Sequence, residues 1–386
     1  MDTYDDAVYI LHMATSTRKG ASTNHVASAL SDRSIVSYNR DTMQRVSQIS
    51  NAHDRKITDL VIASDDENVL VSSSEDGTVC LFDLRSSNHS NQPALKLYLG
   101  KKEEALSVSM GYQGDLAAVG SNKGVINFFD VRGGQQSPIG RYSDAHTMEV
   151  TKVRFMPDNE ALMATASEDG LVCVHDTSQP TEESALLSVL NVEAPLRNIG
   201  FFGPATSTNC ANQHVAPPGI WCLTGNETMS IWHWDAAQRM CSYGGTDIRT
   251  NLTTISNNES SGFGSVDYLV GCHWFEEEQQ LVLVAGSSNG NAAIFDTCND
   301  GAFSLKGALC CGHMGCVRGF DFAKGARSII TGGEDARLCE WKVSTSIGSR
   351  SPLVNPNLSA SISKPRTGGG PVSRRHKCRK TSASPY

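Results

Sequence analysis

The sequence predicts an all-β fold, a seven-bladed β-propeller with four antiparallel strands per blade, and three observations predict it. First, a ten-residue phrase is written almost twice, as "SEDGTVCLFD" (74–83) and "SEDGLVCVHD" (167–176). Second, the interval inside that phrase, six residues from a turn residue to the end of the following strand, can be followed through seven copies. Third, the copies consist of apolar runs of 4–7 residues around turns, and no convincing helix of ten residues or more stands out in 21–343. Such runs are too short and too β-branched for helices. Internal repeats of about 45 residues with four strands each fit blades stacked in a ring, because one small sheet cannot bury both of its faces alone.

In chain order the copies link Asp32 to Tyr38, Asp76 to Phe82, Lys123 to Phe129, Asp169 to His175, Thr228 to Trp234, Asn289 to Phe295 and Asp335 to Trp341. Asp76-Gly77, Asp169-Gly170 and Asn289-Gly290 are hairpin dipeptides, in which Gly supplies the positive φ of a tight turn. The strand before the turn reads "NVLVSSS", "ALMATAS", "LVLVAGSS" or "SIITGG", and the strand after it "TVCLF", "LVCVH", "AAIF" or "RLCEW". The two wide gaps hold insertions, "GPATSTNCANQHVAPPG" (203–219) and the polar run 244–265. Ahead of the first copy, "AVYILHM" (7–13) is a strand candidate. It is expected to pair as the outer strand of the last blade, so that the two ends of the chain lock the ring. This divides the chain into an N-terminal segment with the closing strand (1–20), the propeller (21–343) and a tail (344–386).

Charge is unevenly spread over the 386 residues. The net is −8, yet the tail from Ser344 to Tyr386 has eight Lys or Arg and no acid, which leaves 25 basic against 41 acidic residues in 1–343, a net of −16. An acidic body argues against non-specific nucleic-acid binding, since phosphates are repelled. The opening "MDTYDDAVYILH" carries acids where a signal peptide carries bases, and no apolar run approaches the ~18–20 residues of a membrane span. Twelve Cys without dense spacing read as reduced thiols in an intracellular protein.

Three His precede their strand ends at nearly constant distance: His53 by 29 residues, His146 by 29 and His313 by 28. With the turn Asp and the terminal aromatic-Asp pairs, this resembles the WD-repeat family. The resemblance implies a hydrogen-bonded chain inside a blade, from a His through a strand Ser or Thr and the turn Asp to a terminal Trp. By position the complete set is His313, Thr331, Asp335 and Trp341. A near match is His146, Thr165, Asp169 and His175. The set His53, Ser72, Asp76 and Phe82 lacks the last donor, because Phe has no N–H. The resemblance also implies a partner-binding face beside these turns, formed by Lys56, Thr58, Glu75, Glu149, Thr151, Glu168, Arg318 and Glu334. Its mixed, acid-leaning character suits a basic peptide. Arg85 and Arg132, each two residues after a terminal Asp, resemble the Asp-x-Arg box of WD proteins that serve as substrate receptors of cullin-4 ubiquitin ligases, with Phe in place of Trp.

Catalytic and metal chemistry find little support. Cys310, Cys311, His313 and Cys316 in "CCGHMGC" are ligand types for zinc, but the repeat already employs His313 and no second Cys/His pair stands at finger spacing. Cys80, Cys173 and Cys339 share one repeat position, which reads as packing. No nucleophile elbow, P-loop or dinucleotide glycine motif occurs. The expectation is a non-catalytic scaffold or adaptor with protein partners, no cofactor, no metal, no membrane contact and no small-molecule substrate, acting as a single chain within a larger complex. The tail is too polar to fold and is expected to be disordered. Its "SRRHKCRK" (373–380) is a basic cluster of nuclear-import type, with RNA contact and a ribonucleoprotein-assembly role as the alternative and a cytoplasmic residence also open.

Overall fold

The computed structural model describes residues 8–15, 25–63, 68–85, 92–157, 159–203, 219–243, 248–259, 262–297, 302–322, 328–342 and 360–363. Within them lie seven four-stranded antiparallel sheets, each made of four strands consecutive in the chain. The first strand of each sheet is innermost. These seven strands, Ile10–Thr15, Ile57–Ile62, Ala105–Gly111, Val150–Met156, Leu196–Phe202, Tyr268–Phe275 and Val317–Phe322, each pack against the next, and the seventh packs against the first, so the sheets close a ring. The chain is a seven-bladed β-propeller; the blades are numbered 1 to 7 in chain order.

The physical logic of the ring is visible in the core. Seven apolar clusters fill the seven gaps between successive blades, from Ile35, Leu60 and Phe82 between blades 1 and 2 to Val36, Tyr38, Ile330 and Leu338 between blades 7 and 1. Middle strands are therefore buried on both faces, as in His25–Leu30 and Thr78–Asp83. Outer strands alternate or face solvent, as in Leu186–Asn191 and Gln238–Tyr243. The hairpin between second and third strands turns through one left-handed residue in every blade: Arg33, Gly77, Gly124, Gly170, Glu227, Gly290 and Ala336. Gly occupies four of these seven, as its freedom at positive φ favours.

Three expectations are corrected. The N-terminal strand does not close the last blade. Ile10–Thr15 pairs with His25–Leu30 as the inner strand of blade 1, and the outer strand of blade 7 is Ala360–Ser363, paired with Leu338–Lys342. A hairpin to the next strand closes a short loop, whereas an edge of blade 7 lies three hundred residues away, so local pairing costs less chain entropy. The tail thus contributes a strand; its basic stretch 373–380 lies outside the described residues. Blades 7 and 1 share no sheet, and their seam is held by side chains. Arg40 of blade 1 forms a part-buried ion pair with Asp321 of blade 7, and Met13 packs so tightly on Gly332 that a Cβ there would collide with its sulfur.

Second, a helix of 11 residues, Ile248–Asn258, occupies the second insertion. It buries Ile248 and Leu252 in the apolar cluster between blades 5 and 6, with Ile255 against it. Their spacing of four and three is the helical period, hidden in the sequence by a run of Thr, Asn and Ser. The first insertion lies outside the described residues over 204–218. Third, the copy in blade 5 is Asn226 to Trp232, not Thr228 to Trp234. The left-handed turn residue is Glu227, and Trp232 pairs with Ile220 as Trp341 pairs with Ile329 in blade 7.

Candidate functional site

Three sets of polar residues brace blades 2, 4 and 7 alike. His313 Nδ1 lies 3.0 Å from Asp335, its Nε2 lies 2.8 Å from Thr331 Oγ1, and the Trp341 indole donates to the same hydroxyl at 2.8 Å. A carboxylate only accepts, so Nδ1 carries the proton, and Nε2 accepts from Thr331, which accepts from Trp341. His146 repeats the pattern with Asp169 at 3.2 Å and Thr165 at 2.8 Å, and His53 with Asp76 at 3.2 Å and Ser72 at 2.7 Å. In each blade the Asp also accepts the backbone N–H that follows the His, from Asp54, Thr147 or Met314. The carboxylate thereby ties the loop before the inner strand to the hairpin turn. Burial works against its charge, but the hydrogen bond from the His holds Asp335 and Asp76 below the usual carboxylate range, and backbone N–H donors do so for Asp169.

The near match in blade 4 stops short. His175 is fully buried, both of its ring nitrogens lack a partner among the described residues, and it rests 5.1 Å from the Tyr142 ring. Burial pulls its pKa down to about 4. It fills the Trp position as a neutral ring, not as a donor.

The braced His are committed inward, so the CCGHMGC stretch has no free imidazole, and no group of three or more His, Cys, Asp or Glu among the described residues is placed to hold a metal ion. Cys80, Cys173 and Cys339 are buried, and burial pushes the first two thiols up to about 11 and about 12 and the third higher still. Such thiols are inert at neutral pH.

The sequence-derived partner face divides in two. Thr58 and Thr151 spend their hydroxyls between blades, donating to the carbonyls of Ala105 at 2.6 Å and Leu196 at 2.8 Å. Among the charged groups, Arg318 pairs with Glu334, and Arg55 binds Glu75 and Glu104. Lys56 is exposed beside them. Glu149 and Glu168 stand together on blade 4, their strands joined by the Glu168 N–H to Glu149 carbonyl bond, and no cation pairs with either among the described residues. Partial burial and the neighbouring Glu168 and Glu104 raise the Glu149 carboxyl above its ordinary value. Arg85 and Arg132 are exposed on adjacent blades, but each folds back on its own aspartate, Asp83 at 2.9 Å and Asp130 at 3.4 Å, with Asp115 also near Arg132.

A polar layer inside the ring was not anticipated from the sequence. Every inner strand has a bulge near its start, after the first residue in six blades and after the second, Leu269, in blade 6, which re-aims the side chain behind it. The residues at that one register are His12, Asp59, Ser107, Lys152, Asn198, Gly271 and Gly319 in blades 1 to 7. Asp59 reaches across to Lys152 at 3.0 Å and Arg154 at 3.2 Å and accepts from Ser107 at 2.7 Å. Burial would raise its pKa, but Lys152 and Arg154 hold it well below the carboxylate range. Burial, then Lys152, draws His12 down to about 4. The signal was available, because "ITDLVI" and "VTKVRF" place Asp59 and Lys152 at one repeat position; their meaning depends on which blades face each other.

The sequence model described as WD domain, G-beta repeat matches residues 44–83 and 136–176, each range running from the outer strand of one blade through the first three strands of the next, blades 2 and 4. Relatives named for WD repeats match over most of the chain. The chain is 29% identical over 331 residues, 82% of it and 78% of the relative, to WD repeat-containing protein GTS1 of Arabidopsis thaliana. The chain carries WD repeats. This WD-repeat chain is also 25% identical over 343 residues, 89% of itself and 85% of the relative, to the WD repeat-containing protein 89 homolog of Dictyostelium discoideum. Among solved structures, a chain in the crystal structure of the mitotic checkpoint complex superposes with a TM-score of 0.63 at 17% identity, covering 87% of each chain, a likeness of fold.

Proposed function

We propose that this WD-repeat propeller is a non-catalytic scaffold that docks a basic segment of a protein partner on the face bearing the blade turns. WD-repeat propellers in general serve protein interaction. The observation that carries the finer reading is the Glu149–Glu168 pair. Two adjacent carboxylates without a cation among the described residues, Glu149 raised in pKa by burial and then by Glu168, repel each other, and a Lys or Arg placed between them relieves that repulsion. The acidic body of the chain favours the encounter by long-range attraction.

The test is binding of fluorescein-labelled oligo-lysine and oligo-arginine peptides, with an acidic peptide as control. Saturable binding of the basic peptides, weakened several-fold in the Glu149→Gln/Glu168→Gln variant and by salt, is expected. Equal binding by wild type and variant sinks the reading. The ligase-receptor reading of Arg85 and Arg132 ranks below it, because both guanidinium groups are occupied by their own aspartates. Nuclear residence and an RNA-linked role rest on the stretch 373–380 alone.

A further inference from the structure

The polar layer surrounds a cavity of about 260 Å³ in the middle of the ring, lined by residues of blades 1, 2, 4, 5, 6 and 7. Its charges do not balance. Lys152 and Arg154 face a single acid, Asp59, so the lining carries a surplus positive charge at its centre. Its spare hydrogen-bonding capacity leans the same way. Arg154 spends Nη1 on Asp59 and on the Val153 carbonyl, and its Nε and Nη2 donate to no described residue. Asn198 uses its Oδ1 on the Ile199 N–H, and its NH₂ group donates to no described residue. The His12 ring makes no hydrogen bond to a described residue and stands near enough to Lys152 and Asp59 to feel both charges. Donors from blades 1, 4 and 5 therefore converge on one space whose only acid among the described residues is already engaged.

We propose that this central cavity binds a small phosphate-class anion, inorganic phosphate or a phosphomonoester. A guanidinium, an ammonium and an imidazole set around a cavity match an anion with several acceptor oxygens and more than one negative charge. A carboxylate, with two oxygens and one charge, would satisfy the cation surplus but leave donors unused. The site is independent of the acidic pair at Glu149 and Glu168, which is not part of its lining and would repel the same ligand.

The experiment is calorimetric titration and thermal melting of the full chain with inorganic phosphate, glycerol phosphate, acetate and chloride at matched ionic strength. Phosphate is expected to bind saturably and raise the melting temperature, with acetate and chloride inert; a stronger response to glycerol phosphate than to phosphate assigns the site to a phosphomonoester. Arg154→Gln, at a partly exposed position, should fold as wild type in chloride and bind phosphate about tenfold or more weakly, the size of a lost charged hydrogen bond. As a second readout, the His12 imidazole followed by NMR should titrate at higher pH when phosphate is bound, because a neighbouring anion favours the cation. No saturable response to phosphate beyond chloride, an equal response to acetate, or undiminished binding by Arg154→Gln overturns the proposal.

Discussion

Blades 5 and 7 solve the same packing problem with opposite chemistry. In blade 7 four register positions hold His313, Thr331, Asp335 and Trp341, joined in one hydrogen-bonded chain. In blade 5 the same positions, counted from the inner strand and the left-handed turn, hold Val192, Cys222, Asn226 and Trp232. There Val192, Cys222 and Trp232 join one apolar cluster, and the Trp232 indole donates to Ser230 at 2.9 Å within its own strand. The blade therefore needs four matched shapes at these places; a polar chain is one way to supply them. Blade 7 completes that chain, whereas in blades 2 and 4 it ends at Ser72 and Thr165, with Phe82 and His175 at the Trp position. His175 in blade 4 stands between the two cases, in the Trp position of a braced blade but with neither nitrogen paired.

The comparison can be broken from either side. The largest effect is expected on the apolar side. Trp232→Ala empties a buried site between blades 4 and 5 and should cost about 3–5 kcal/mol, the range for removing a buried aromatic side chain, read by denaturant unfolding. On the polar side, Asp335→Ala removes the acceptor of His313 and of the Met314 N–H and should cost about 1–3 kcal/mol. Wild-type melting of Asp335→Ala would show that the brace contributes nothing beyond shape.

The intermediate case gives the smallest effect at neutral pH and the clearest pH signature. The folded state keeps His175 neutral to about pH 4, whereas an unfolded His titrates near 6.5. Between those values the unfolded chain binds the extra proton, so stability present above pH ~6.5 is lost as pH falls toward 4. His175→Phe should be within about 1 kcal/mol of wild type at pH 7, as a near-isosteric swap, and should have a shallower acid slope. Stability curves of equal slope from pH 7 to 4 would contradict a buried neutral His175.

Most blade anchors were legible because their signal is local. A turn residue and the aromatic six positions later belong to one hairpin, so six of the seven copies are placed as the structure has them. Blade 5 fails by two residues because "SIWHWD" offers two Trp, and the one followed by Asp carries the family signature while strand register selects the other. The braces were legible for the same local reason, as was the buried setting of the Cys80, Cys173 and Cys339 position. The helix Ile248–Asn258 was obscured by residues of low helix propensity; its packing between blades 5 and 6 supplies the stability that propensity does not. The inner layer was missed because, although its residues, Asp59 and Lys152 among them, share a repeat position, their pairing depends on which blades face each other across the ring.

From the amino-acid order alone came the repeat, the number of blades and the side chains that brace three of them, because each is set by contacts within one hairpin or between neighbouring strands. Tertiary structure alone decided which strand ends the ring, which tryptophan anchors blade 5, and that Asp59, Lys152, Arg154 and His12 meet in one cavity. Those outcomes depend on distances across a closed circle, and a chain has no such distances until the circle is closed.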